Sequence, residues 1–270
     1  MRLTLYYIAL LIVAAIFICP YLFAVFASFK PLSGVLGERP WIPPTSLSTT
    51  NFSQVLFDQH FTTYLLNTLV VTVILTVGQV VFSMLAAYAF ARMHFPGRDA
   101  LFWVYLATLM VPGAVTMIPL YVIMDNIHLL NTYWALFLPY VLGVPYMIFL
   151  MRQYLLTIPE ELIEAARIDG CSEVRILWTM IVPLSRPILI TGSLIAFVFG
   201  WNNFLWPLIA TNSTALRVNT VGIADLQSNF GTQWNLVLAG SLLALIPMVI
   251  LFMIFQKQIV RSISLGGVSR

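Results

Sequence analysis

Charge is what this chain has least of. Only 9% of its 270 residues are Asp, Glu, Lys or Arg, whereas a soluble domain carries roughly a quarter. So few polar groups could not cover a folded surface in water. That excludes an ordinary soluble domain and makes lipid the solvent for most of the chain. The net charge of +3 comes from basic residues scattered between apolar stretches. No basic run exists, so nucleic acid is excluded as a partner. Cysteine is scarce too. Cys19 lies in an apolar stretch and Cys171 in a polar loop. Two such cysteines make neither a disulfide framework nor a metal site, and both read as free thiols. His60, His94 and His128 fall in different loops and lack metal-ligand spacing. There is no Ser/His/Asp constellation and no Gly-x4-Gly-Lys-Ser/Thr phosphate loop. The chain therefore reads as no enzyme, with no cofactor of its own. Its apolar stretches hold essentially no charged residue away from their boundaries. An ion-coupled secondary transporter needs intramembrane acids or bases, and an intramembrane protease needs a Ser–His, Asp–Asp or zinc site. Both remain only remote alternatives.

What is present in quantity is apolar, 60% of the residues. A membrane helix needs about 20 such residues. Six segments qualify, near 5–27, 65–91, 101–123, 133–150, 188–209 and 236–255. The start resembles a signal peptide, but its apolar run is longer than a signal core and no small-x-small cleavage pattern ends it. It is read as a retained span. Pro20, Pro112, Pro119, Pro139, Pro145, Pro207 and Pro247 predict kinks packed against other helices. Orientation follows from Lys and Arg. With the N-terminus inside, the inner side holds Arg2, Arg92, Arg98, Arg152, Arg167, Arg175, Arg186, Lys257, Arg261 and Arg270. The outer side holds only Lys30, Arg39 and Arg217. The expectation is an all-α membrane protein of six transmembrane helices with both termini cytoplasmic. The outer segments 31–62 and 210–235 are polar and long enough to meet a partner. The whole chain, 1–270, reads as one domain without repeats.

The inner segment at 157–187 carries the sharpest pattern. Thr157 and Glu160 have capping-box spacing, and Pro159 suits a first helical turn. Glu161, Glu164, Ala165 and Ile168 then share one face. Gly170 is a good helix C-terminal residue, expected at positive φ. A bulky residue there should twist the next helix out of register. Ser172 can cap a second helix running toward Pro183. The prediction is a helix-turn-helix loop on the cytoplasmic side. Amphipathic helices that rest on lipid usually carry a basic face; Glu160, Glu161, Glu164, Asp169 and Glu173 argue instead for docking to a partner.

This loop resembles the EAA motif of permease subunits in binding-protein-dependent ABC importers. Glu164-Ala165-Ala166, Gly170 and Pro183 stand at the required spacing, with Met180 and Val182 in place of Ile and Leu. Ala86 through Arg92 with Phe95-Pro96-Gly97 resembles the second-span exit of the carbohydrate, maltose-type branch. Gly200 through Pro207 resembles its fifth span, and Leu265 through Val268 its tail, although Ser269-Arg270 departs from the usual ending. The resemblance implies a core permease region of about 65–260 in a multi-pass protein of the prokaryotic cell membrane. It implies a homologous second permease, two copies of an ATPase subunit that binds ATP and Mg, and an extracytoplasmic substrate-binding protein. Glu161, Glu164, Ala165, Ala166, Asp169, Gly170 and Pro183 would couple to the ATPase. A carbohydrate is the expected cargo. The glycerol-3-phosphate permease subunit is also similar around Leu162–Gly170 and Trp201–Pro207, so a polyol phosphate is the alternative.

Candidates for the substrate path are Asn67, Tyr121, Trp201, Asn202, Asn203 and Trp206. Asn can hydrogen-bond sugar hydroxyls, and an aromatic face can stack on a sugar ring. Amides in lipid are unfavourable unless they face a partner or a wet cavity. Thr116 and Met117 are weaker candidates. Asn67, Thr68, Thr72, Thr76, Gln79 and Ser83 make a polar stripe on the second span. Interhelical hydrogen bonding is the expected use of that stripe, with path lining the alternative.

Overall fold

A computed structural model describes residues 2–37, 41–44, 47–228 and 233–267. Among them there is no strand. In chain order the helices are α1 (Arg2–Ser28), α2 (Leu32–Val35), α3 (Thr50–Ser53), α4 (Phe61–Arg92), α5 (Arg98–Ala107), α6 (Gly113–Asn126), α7 (Tyr133–Val141) and α8 (Pro145–Leu155). They continue as α9 (Glu160–Ile168), α10 (Glu173–Ile176), α11 (Val182–Leu184), α12 (Arg186–Trp201), α13 (Leu205–Ala210), α14 (Asn219–Ser228) and α15 (Trp234–Gly267). Among the described residues only α1, α4 and α15 are long and apolar enough to cross a membrane alone. The number rises to six if each of three bent helix pairs is one span.

The bends sit where sequence chemistry places them. α4 runs through 32 residues without proline and stops before Pro96-Gly97, with Gly97 at φ +78°. The span expected at 101–123, with a kink at Pro112, is α5 and α6, turned by 102° at Val111-Pro112. Proline forces the residue before it out of the helical region, and Pro112 itself is extended at ψ 132°. The span near 133–150 bends by 40° between α7 and α8, where Pro145 opens the new helix. The span near 188–209 breaks after Trp201 into α12 and α13. A further bend of 80° separates residues 173–184 from α12, with Pro187 in the first turn of α12. Pro20 and Pro247 lie within α1 and α15.

The chain divides into two compact units. The first comprises residues 1–66 and 217–251. Its core gathers Val55, Phe61, Tyr64, Leu226, Leu236, Val237 and Ala239. Buried Asn51 donates to the Ser28 and Lys30 carbonyls at 2.7 and 2.8 Å and accepts from Asn235. Residues 4–22 of α1 are all exposed within the chain. The second unit comprises residues 67–216 and 252–270. Its main core joins Met84, Ala87, Tyr88 and Ala91 of α4 to Met147, Met151 and Leu155 of α8. Ile163, Ile176 and Ile181 of the loop region complete it. The EAA-like loop is thus fastened by its own buried isoleucines.

Candidate functional site

α9 shows two faces. Ile163 is buried in the unit's core and Ala166 packs against that core. Glu161, Glu164, Ala165, Asp169 and Gly170 are exposed. Ile168 is 86% exposed and Val174, at the start of α10, 67% exposed. The acid-and-alanine face expected from the sequence therefore carries two bare apolar side chains. Val174 was not singled out by sequence reasoning; its signal is its place two residues past the Ser172 cap, on a short helix whose Ile176 is the buried residue.

The turn between α9 and α10 is built as expected. Gly170 has φ +79°. Its N–H bonds to the Arg167 carbonyl and that of Cys171 to the Ala166 carbonyl, both at 3.0 Å. This paired arrangement satisfies two carbonyls at the helix end. The Ser172 hydroxyl accepts from the Arg175 N–H at 3.4 Å. The Thr157–Glu160 capping box does not form. Thr157 donates back to the Tyr154 carbonyl at 2.7 Å, and Pro159 occupies the cap position of α9 with no side-chain bond. After α10 the backbone widens into a π-turn at Leu177–Ile181 before α11. Pro183 lies in α11 and is exposed.

A polar knot ties this loop to the end of α4. Glu173 accepts from Arg167 at 2.8 Å and from the Tyr88 hydroxyl at 2.6 Å. Arg167 also donates to the Arg92 carbonyl. The Arg92 side chain, 6% exposed, donates to the Leu155 carbonyl at 2.6 Å and to that of Ile158. Arg152 donates to the Phe90 carbonyl and lies 4.2 Å over the Phe102 ring. None of these arginine roles is visible in a charge count. The Arg167 and Tyr88 hydrogen bonds hold the Glu173 carboxyl below the usual carboxylate range. A depressed folded-state pKa means that stabilisation is fully present above the unfolded value, about 4.3, and fades as pH falls through the lower folded one. The melting-temperature gap between the wild type and Glu173→Gln should therefore stay constant near neutrality and close only in acid. A gap that closes between pH 6 and 8 would refute this assignment.

The path candidates fall into two environments. Asn67 is buried; it donates to the Ala215 carbonyl at 2.8 Å and accepts from the Tyr133 hydroxyl at 2.6 Å. Trp201 is buried and stacks on Phe197 at 5.7 Å. Trp206 is wholly buried, and its indole N–H donates to the Ala135 carbonyl at 2.7 Å. In this conformation those three are packing side chains. Tyr121 and Asn202 are exposed and Asn203 half-buried, with Asn202 donating to the Val198 carbonyl at the end of α12. Thr116 is exposed and donates to the Gly113 carbonyl. Of the three cations placed on the outer side, Lys30 is buried and Arg217 pairs with Asp225 at 2.8 Å. Arg39 lies outside the described residues, as does Val268 of the tail motif. Among the described residues no group of His, Cys, Asp and Glu could hold a metal.

Comparison with known proteins fits this layout. Residues 79–265 match the family model "Binding-protein-dependent transport system inner membrane component". The chain is 34% identical over 259 residues to the arabinooligosaccharides transport system permease protein AraQ of Halalkalibacterium halodurans, covering 95% of this chain and 92% of that one. It is 39% identical over 201 residues to the sn-glycerol-3-phosphate transport system permease protein UgpE of Yersinia pestis, covering 74% and 71%. A solved bacterial ABC transporter involved in import of the acidic polysaccharide alginate superposes with a TM-score of 0.84. It shares 25% identity, over 94% of this chain and 95% of its own. The chain is a permease subunit, a member of the inner membrane component family of binding-protein-dependent ABC import systems, and not an enzyme.

Proposed function

We propose that this permease forms, with a homologous second permease, the membrane path for an uncharged carbohydrate handed over by an extracytoplasmic binding protein. Two copies of an ATPase subunit dock on the cytoplasmic side. The observation that carries the proposal is the exposed face around Gly170. Glu161, Glu164, Ala165, Asp169 and Ile168 stand bare there beside Val174, while Ile163 and Ile176 anchor the same helices in the core. A surface that is half acidic and half apolar suits a protein partner better than anionic lipid. ATP-driven closure of the ATPase pair would move α9 and α10, and the polar knot would pass that movement to α4. The path then opens outward while the binding protein is docked and inward after hydrolysis.

In this reading both termini and the 157–187 loop are cytoplasmic, following the Lys/Arg asymmetry, and the permease core spans about 65–260. With Cys19 and Cys171 replaced by serine, cysteine at Ala215 should react with an impermeant thiol reagent in intact cells. Cysteine at Ser172 should not. The reverse pattern would sink the orientation.

The cargo assignment rests on charge. A phosphate ligand favours Arg or Lys in the path, and here Lys30 is buried and Arg217 already paired. Asn202, Asn203 and Tyr121 offer uncharged hydrogen-bonding and stacking groups. The AraQ-like match favours an oligosaccharide and the UgpE-like match a polyol phosphate. The reconstituted importer with its own binding protein should hydrolyse ATP faster with arabino-oligosaccharide than with glycerol-3-phosphate. Asn202→Ala should reduce that stimulation while the complex still purifies intact. Stimulation by glycerol-3-phosphate alone would reverse the assignment.

A further inference from the structure

The stripe on α4 does not do what a buried polar stripe usually does. Thr72, Gln79 and Ser83 are each at most 2% exposed and Thr76 is half-buried. The hydroxyls of Thr72, Thr76 and Ser83 and the amide nitrogen of Gln79 have no hydrogen-bond partner. Buried polar groups are nearly always paired. Serine and threonine in a helix have a ready solution in the carbonyl one turn back. Thr179, Thr191, Ser193, Thr211 and Ser241 all take that bond, at 2.7 to 3.0 Å. Thr72, Thr76 and Ser83 do not. The unmade bonds thus follow one helix through three successive turns.

What faces the line is equally specific. A methyl added to Gly200 would lie 3.3 Å from the Thr72 hydroxyl, and one added to Gly143 would lie 3.0 Å from that of Ser83. Both glycines stand at helix breaks, Gly200 at the end of α12 and Gly143 between α7 and α8. Between them, Gln79 borders a cavity of about 220 Å³ with walls of Val144, Met147, Ile195 and Phe199. That space exceeds the roughly 30 Å³ share of one water molecule. A buried water, however, needs two to four polar partners, and the lining offers little beyond Gln79. All the covering groups belong to this chain's own second unit.

We propose that Thr72, Thr76, Gln79 and Ser83 form a polar track on α4 that opens to water in the other state of the transport cycle. The helix breaks at Gly143 and Gly200 are where the seam parts. Water entering there would give every unpaired group its partner at once, so the track favours the open arrangement over the closed one. The inference rests on the importer reading above, because it needs two states driven by ATP.

The test uses the purified permease pair with its ATPase, Cys19 and Cys171 replaced by serine and a single cysteine at Thr76 or Ser83. Reaction with a small methanethiosulfonate reagent is timed in nucleotide-free and ATP–vanadate-trapped complexes. About a tenfold difference in rate between the two states is expected, since the seam changes population with the nucleotide. Equal rates at both positions would overturn the proposal. Independently, T72V with T76V should raise the Tm of the nucleotide-free complex by about 2 °C or more, because each valine removes an unpaired hydroxyl without changing shape. A lowered Tm, or loss of the assembled complex, would show that the hydroxyls have partners and would also overturn it. The rate comparison involves no sugar. A complex that traps normally but hydrolyses ATP without response to binding protein and sugar would count against the importer reading, not against the track.

Discussion

Gly170→Asp should leave the permease folded and release most of its ATPase. Gly170 sits at φ +79°, a conformation that costs an ordinary L-residue about 1–2 kcal/mol and aspartate less than most. Apart from its chain neighbours, no atom lies within 4 Å of where its Cβ would be. The expected twisting of the second helix by a bulky side chain therefore has no steric cause within this chain. The space is open, and in the proposed assembly the ATPase fills it. A new carboxylate there adds to Glu161, Glu164 and Asp169 on an already acidic face and is buried without a partner on docking. An unpaired buried interfacial charge costs about 2–5 kcal/mol, and a tenfold loss of affinity needs only about 1.4. We expect at least about a tenfold fall in ATPase retention with Tm within a few degrees of wild type. Gly170→Asn keeps the size and the tolerance of positive φ without the charge, and should retain most binding. Full retention and normal stimulated hydrolysis in Gly170→Asp would remove this turn from the docking surface.

Arg92→Leu should act in the opposite way, on the fold itself. Its guanidinium serves the carbonyls of Leu155 and Ile158. Leucine fills similar space but strands the Ile158 carbonyl and leaves that of Leu155 only the Ile158 N–H at 3.1 Å. Each buried unpaired group costs about 1–3 kcal/mol, a large share of the 5–15 kcal/mol typical of folded proteins. The 3.9 Å contact with exposed Glu160 adds little, since such pairs contribute about 0–1 kcal/mol. The expected outcome is a sharp drop in Tm and in the yield of assembled complex. Arg92→Lys should rescue only partly: one guanidinium nitrogen, Nη2, serves both carbonyls, and an ammonium on a shorter, more flexible stem reaches them less well. An Arg92→Leu complex with unchanged yield and Tm would show that this end of α4 is held by packing alone.

The two residues also mark where the sequence was readable. Gly170 was legible because its conformation follows from local chemistry: a glycine closes an amphipathic helix, and a serine cap opens the next. The misplaced cap at Thr157 was a local ambiguity. A threonine three residues before a glutamate can serve the helix ahead or the turn behind, and the proline between them gave the cap position to Pro159. Arg92 entered as a count in the orientation rule and as the end of the second-span resemblance, since nothing local says that a basic residue at a span's end turns inward to hold two carbonyls. The α4 stripe was legible as polar and buried. Asn67 makes the expected interhelical bonds, whereas Thr72, Thr76, Gln79 and Ser83 make none. Hydropathy found the apolar segments but carries no direction, so at 101–123 Pro112 gave the place of a kink and not its right-angled size.

That bend sets the order in which the protein can be made. At 1.5 Å per residue, α5 and α6 are only about 15 and 21 Å long, short of the roughly 30 Å hydrocarbon layer. Neither piece can be handed to the bilayer as a finished helix. The segment must leave the insertion machinery as one continuous apolar stretch, or wait beside it, and buckle at Val111-Pro112 only once α8 and the neighbouring helices exist to accept the freed backbone groups. A nascent chain halted before residue 145 would hold this region in a different shape from the finished protein, and its maturation would be timed by elongation rather than by the segment itself.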